Sequence, residues 1–159
     1  MDENKLNQLY QNIASTVIET IPEEWSKVLI YGEIIEDVQK GFFYYYPEGK
    51  DNPIYGHNIP DLFEIDHGSY RNQWGQLLDD LEELWHEFKN NDQEPWTSLT
   101  MVIKSDGEFN IDFSYEDLTN ANDHKRKIVW KHKYLGLWPE NQDDKEFLEH
   151  HIELNQDEA

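Results

Sequence analysis

Asp79, Glu82, Glu83 and His86 recur at spacings that a helix would place side by side, with Asp80 and Glu87 at the edges of the same face. Carboxylates this close repel one another unless a partner supplies cations. The chemistry they suit is recognition of basic side chains, with carboxylates standing where a nucleic acid presents phosphates. Acids are so abundant in the chain that no single pair stands out as a catalytic acid and base. An ordinary solvated helix face is the plainer explanation. Asp79, Glu82, Glu83, His86 and Glu87 are thus the candidate contacts for a basic partner, and no residue is a candidate for catalysis.

Other groups point less sharply. The seven histidines are scattered, none sits in an HExxH pattern, and there is no cysteine to join them. His57, Asp61, Asp66 and His67 share a loop-rich stretch that folding could gather round a metal, but no ligand spacing demands it. No cofactor or metal is expected. Nucleophile elbows and Gly-rich phosphate loops are absent. Residues 124–134 (HKRKIVWKHKY) hold five of the 13 basic residues and no acid. Trp130 and Tyr134 among them would suit a nucleic acid, but the rest of the chain, with eight bases and 34 acids, opposes a polyanion. A counter-surface for the acidic body of the same chain is the favoured role. In the run Phe42, Phe43, Tyr44, Tyr45 and Tyr46, a strand would send rings to both faces. Coverage on both sides and a binding face with aromatic anchors both fit.

These groups need a scaffold. Leu6, Leu9, Tyr10, Ile13, Val17 and Ile21 predict an amphipathic helix over residues 3–20, ended by Pro22. Residues 25–37 and 40–46, rich in β-branched and aromatic side chains, predict a hairpin turning between Asp37 and Gly41. Residues 54–68 are ambiguous and leave room for a short strand around residues 60–65. Over residues 70–89, Trp74, Leu77, Leu78, Leu81, Leu84, Trp85 and Phe88 form an apolar stripe opposite the acidic face, with Ser69 as N-cap. Residues 96–105 and 108–115 predict a second hairpin with Asp106-Gly107 as a two-residue turn. In its second strand Phe109, Ile111 and Phe113 alternate with polar residues, so one face should be buried and the other wet. Residues 123–134 read either as a helix or as an irregular basic segment, and residues 143–153 as a short acidic helix. The expected fold is α+β, an antiparallel sheet built from hairpins and packed against an N-terminal and a central amphipathic helix. Residues 1–140 are expected to form one domain and residues 141–159 an acidic C-terminal helix or tail.

Formal net charge is -21 and mean hydropathy -0.90, so disorder has to be weighed first. Leu, Ile, Val and Phe make up about a quarter of the chain, above the level at which highly charged chains stay unfolded. Six Trp and nine Tyr add apolar area. The lack of cysteine excludes disulfides and fits a reducing cytosol. The opening MDENKLNQLY lacks the basic and apolar regions of a signal peptide, and no apolar run approaches a membrane span. Such a surface repels nucleic acid and anionic lipid and steers basic proteins towards it. The expectation is a cytoplasmic protein without direct nucleic-acid or membrane contact. Its sheet edges allow either a monomer or a homodimer when free.

Several stretches carry a resemblance, in order along the chain. They are LYQNIASTVIETIPEEW at residues 9–25 with KVLIYGEI after it, WGQLLDDLEELWHEF at 74–88, PWTSLTMVIKSDGEFNIDFSYEDL at 95–118 and, more loosely, Trp138-Pro139. Together they resemble the YezG/EsaG-like immunity proteins of Firmicutes. The resemblance implies a stoichiometric antitoxin, not an enzyme. It implies a gene beside that of a large secreted toxin, many such toxins carrying an LXG-type secretion domain and a C-terminal nuclease. It assigns no contact residues. A nuclease presents a basic cleft, so the expected mode is occlusion of that cleft by the acidic helix face. Allosteric or unfolding inhibition fits the sequence equally. The alternative function is a cytosolic adaptor or export chaperone that leaves the secreted protein active. Behind it come a metal-dependent hydrolase using His57 and His67, and a DNA mimic acting on a host regulator.

Overall fold

The computed structural model describes residues 2–35 and 38–156. The described residues up to Leu118 form one compact unit, and those from Thr119 onward a second.

The first unit opens with α1 (Glu3–Thr20), capped by the Asp2 carboxylate, which accepts the Asn4 N–H. Its Leu9, Ile13 and Val17 are buried, as their three- and four-residue spacing predicts. The helix stops at Ile21, which is extended because Pro22 follows. Strands β1 (Trp25–Ile35) and β2 (Val38–Pro47) pair antiparallel, with Gly32 opposite Gly41. Residues 38–41 are therefore strand, not turn, and the Asp37 end of the expected turn lies outside the described residues.

Next come β3 (Ile54–Tyr55), a 3-10 turn over Gly56–Asn58 and the short helix α2 (Ile59–Phe63). The strand for which residues 60–65 left room is thus replaced by a helix. Pro60 sits in its first turn, where a missing N–H costs nothing. Helix α3 (His67–Asn90) starts before the expected Tyr70. Its cap is Asp66, whose carboxylate accepts the Ser69 N–H, so Ser69 lies inside the helix and is not its cap.

Strands β4 (Ser98–Lys104) and β5 (Phe109–Ser114) complete the unit. The Lys104 N–H donates to the Glu108 carbonyl at 2.8 Å, and the Gly107 N–H to the Lys104 carbonyl at 3.0 Å. The loop therefore has three residues where two were expected, with Gly107 at φ 92 taking the left-handed position that such loops need. The five strands are antiparallel in the order β3-β2-β1-β4-β5, so the α+β expectation holds.

One face of the sheet carries the core. Val28, Ile30, Phe43, Tyr45, Leu99 and Met101 meet Ile13 and Val17 of α1 and Leu77, Leu81 and Leu84 of α3. Each such burial contributes about 1.5–3 kcal/mol before conformational entropy is set against it. At Gly32 a Cβ would stand 2.6 Å from Leu81 Cδ2, so α3 lies close to the sheet where β1 has no side chain. Two indoles fix the helix further. The Trp74 N–H donates to the Gly41 carbonyl at 2.8 Å, and the Trp85 N–H to the Trp96 carbonyl at 3.1 Å. Phe109, expected in the buried set, is 44% exposed, because β5 is the last strand of the sheet.

The second unit is a helix pair, α4 (Asp123–Leu135) and α5 (Gln142–Leu154), which resolves the basic stretch as helical. Asn122 and Asn141 cap the two helices. They are joined by His124 with Asp144 at 3.0 Å and by Lys125 over the Phe147 ring at 5.2 Å. The boundary expected at residue 140 falls between these two helices. Among the described residues no helix is long and apolar enough to cross a membrane.

Candidate functional site

Helix α3 carries Asp79 and Glu83 one turn apart on its outward side, both exposed, with Glu87 a further turn on. Glu82 and His86 lie beside them, their Oε1 and Nε2 atoms 3.4 Å apart. All five residues therefore share one helix face, as their spacing predicts. They are not equivalent. Glu82 also accepts the Gln39 amide of β2 at 2.5 Å, and Glu87 accepts from Asn91 at 3.1 Å. Gln39 escaped the sequence reading because the strand was expected to begin after it. The repeats 79–83 and 83–87 stack like charges, each costing the helix a few tenths of a kcal/mol. A partner bearing cations would relieve that repulsion.

Asp80 departs from expectation. It is 6% exposed, and its carboxylate accepts the Thr16 hydroxyl at 2.6 Å and the Gln76 amide at 2.9 Å. It ties α1 to α3 and is turned inward, so its carboxylate is not part of the exposed acidic surface. The signal was present in the sequence, since Asp80 follows Leu77 by three residues and precedes Leu84 by four, on the buried stripe.

The loop-rich histidines do not converge. His57 Nδ1 is 2.7 Å from the Tyr70 hydroxyl, and its ring stands edge-on to Trp74. Burial, with Tyr55 nearby, raises the Tyr70 pKa. His67 pairs with Asp61 at the surface at 3.1 Å, while Asp66 caps α3. Among the described residues no three His, Asp or Glu side chains are grouped so as to hold a metal.

The aromatic run does place rings on both sheet faces. Phe43 and Tyr45 belong to the core, and the Tyr45 hydroxyl donates to Glu23 at 2.6 Å. Phe42 stacks on Tyr31 with centroids 5.0 Å apart, and Tyr44 lies 5.0 Å from Tyr55. Burial, with Tyr55 beside it, pushes the Tyr44 phenol up to about 12. Of the basic residues on α4, Lys127 is held below the usual lysine range by burial and by Lys131.

This small α+β chain of strongly negative charge matches, over residues 6–149, a family of immunity proteins, and it belongs to that family. That family is the YezG-like one, as the motifs suggested. Immunity protein YezG of Bacillus spizizenii (strain ATCC 23059 / NRRL B-14472 / W23) is 39% identical over 98% of both chains. Immunity protein YezG of Bacillus subtilis (strain 168) is 32% identical over 90% of this chain and 96% of its own. Type VII secretion system protein EsaG of Staphylococcus aureus (strain NCTC 8325 / PS 47) is 34% identical over 88% and 87%. Membership in an immunity-protein family implies neutralising a toxin, a task such proteins generally perform by binding and not by catalysis.

Proposed function

We propose that this protein neutralises a cognate secreted nuclease of the LXG type inside the producing bacterium, in the cytoplasm, by stoichiometric binding. The acidic face of α3 covers the nuclease's basic substrate cleft. Family membership supports the antitoxin role. The observation that carries the mode is the exposed pair Asp79 and Glu83 on a chain of net charge -21. Opposite charge speeds encounter and competes for the cleft. The test is a pull-down and nuclease assay with the product of the large open reading frame beside the gene. Salt-sensitive one-to-one binding that abolishes cleavage is expected.

The name of the staphylococcal relative, a type VII secretion system protein, favours a second reading. In that reading the chain is an adaptor or export chaperone for the secreted protein. Binding without loss of nuclease activity would select it, and no binding at all would overturn both.

A further inference from the structure

The sheet ends at β5, and no strand pairs with its far side among the described residues. Hydrogen-bond parity shows which backbone groups face outward. The Ile34 N–H donates to the Thr97 carbonyl and the Ser105 N–H to the Ser26 carbonyl, so odd-numbered residues of β4 turn towards β1. The Lys104 N–H donates to the Glu108 carbonyl, so even-numbered residues of β5 turn towards β4. Parity alternates along an antiparallel ladder. The N–H and C=O groups of Phe109, Ile111 and Phe113 therefore point away from the sheet.

An edge of this kind is a template for another strand. The strand, FNIDFS, holds neither lysine nor proline, the residues that commonly block an edge. Aromatic anchors flank it. Phe109 is 44% exposed with its ring 5.9 Å from that of Tyr10, and Tyr115 is 45% exposed. Exposed Asp106, Glu108 and Glu116 border it. The Phe88 ring lies 5.3 Å from Phe113, so the last turns of α3 stand beside the end of the edge.

We infer that the β5 edge accepts an extended, lysine- or arginine-bearing segment of the toxin as a sixth strand. The inference rests on the antitoxin reading and adds a backbone contact to it. Two copies of a chain carrying -21 repel each other, which favours a basic segment over pairing of β5 with itself.

The test is amide hydrogen exchange on the full chain, free and with the product of the adjacent large open reading frame. The amides of Phe109, Ile111 and Phe113 should exchange readily in the free protein and slow by about tenfold or more in the complex. Those of Asn110 and Asp112 should be protected in both. Phe109→Pro, at the first residue of the strand, removes one outward N–H and spares the ladder, so it should weaken binding by about tenfold or more. Binding with the odd-numbered amides still exchanging freely overturns strand addition and leaves the antitoxin reading standing. Failure of the wild-type chain to bind removes both. Protection of the same amides that grows with concentration of the free protein assigns the edge to a second copy and overturns the inference.

Discussion

Thr16 donates its hydroxyl hydrogen to the Asp80 carboxylate at 2.6 Å, joining α1 to α3 across 64 positions of sequence. Replacing Thr16 by Val would leave a buried acceptor short of a partner. The expected loss in denaturant unfolding is about 1–3 kcal/mol. Thr16→Ser keeps the hydroxyl and should fall much closer to wild type. A Thr16→Val variant as stable as wild type would show that the hydrogen bond makes no net contribution.

Gly32→Ala would place a methyl group 2.6 Å from Leu81 Cδ2, in a core where Leu81 is 1% exposed and has little room to move. Overpacking of this kind costs about 1–3 kcal/mol. Leu81→Ala alone should cost about 2–5 kcal/mol. The double variant should lose less than the sum, because the small residue makes room for the added methyl. Strict additivity would show that the closeness of α3 to β1 at this point carries no energy.

Alkaline pH should separate the tyrosines. A phenol whose folded pKa is raised contributes stability that is full below its unfolded value and is lost as pH climbs through the folded one. For Tyr44 the window runs from 10.0 to about 12, with burial as the main cause and Tyr55 adding. Burial also raises Tyr45 and Tyr70. A phenolate absorbance titration should therefore leave part of the nine tyrosines un-ionised until the fold gives way. Complete ionisation near pH 10 with native circular dichroism intact would contradict this.

Asp79→Lys combined with Glu83→Lys should leave stability within about 0.5 kcal/mol, since both side chains are exposed. Affinity for the adjacent reading frame's product should fall by about tenfold or more, mainly through slower association, and its salt dependence should flatten. Unchanged affinity in a folded double variant would remove the α3 face from the interface while leaving the antitoxin role in place.

Where local chemistry decides structure, the sequence was readable. α1 runs over Glu3–Thr20 as predicted, because its apolar spacing, an acidic cap and Pro22 all act within a few residues. The apolar stripe of α3 and the sharing of one face by Asp79, Glu82, Glu83, His86 and Glu87 were legible for the same reason. The misses came from partners distant in sequence. Gly41 looked like a turn residue, but its added Cβ would meet Leu78 and Leu81 at 3.2 Å, so its smallness serves packing within a strand. Asp80 looked like part of a charged face until Thr16 arrived from another helix. Residues 54–68 were ambiguous because a short stretch broken by Gly56 and Pro60 has no period to read. The exposure of Phe109 depends on the order of strands in the sheet, which alternation along one strand does not report.

Helix α3 is held at three levels: to β2 by Trp74 on Gly41 and by Glu82 on Gln39, and to the segment ahead of β4 by Trp85 on Trp96. A rod fastened along its length cannot roll about its own axis. The backbone positions that carry Asp79 and Glu83 thus keep a fixed azimuth and spacing before any partner arrives. Docking on this face, as proposed, would freeze few backbone degrees of freedom on this side, and the entropic penalty of association would fall mainly on the partner. A surface set in advance lets an encounter complex lock without first rearranging the helix that presents the charges.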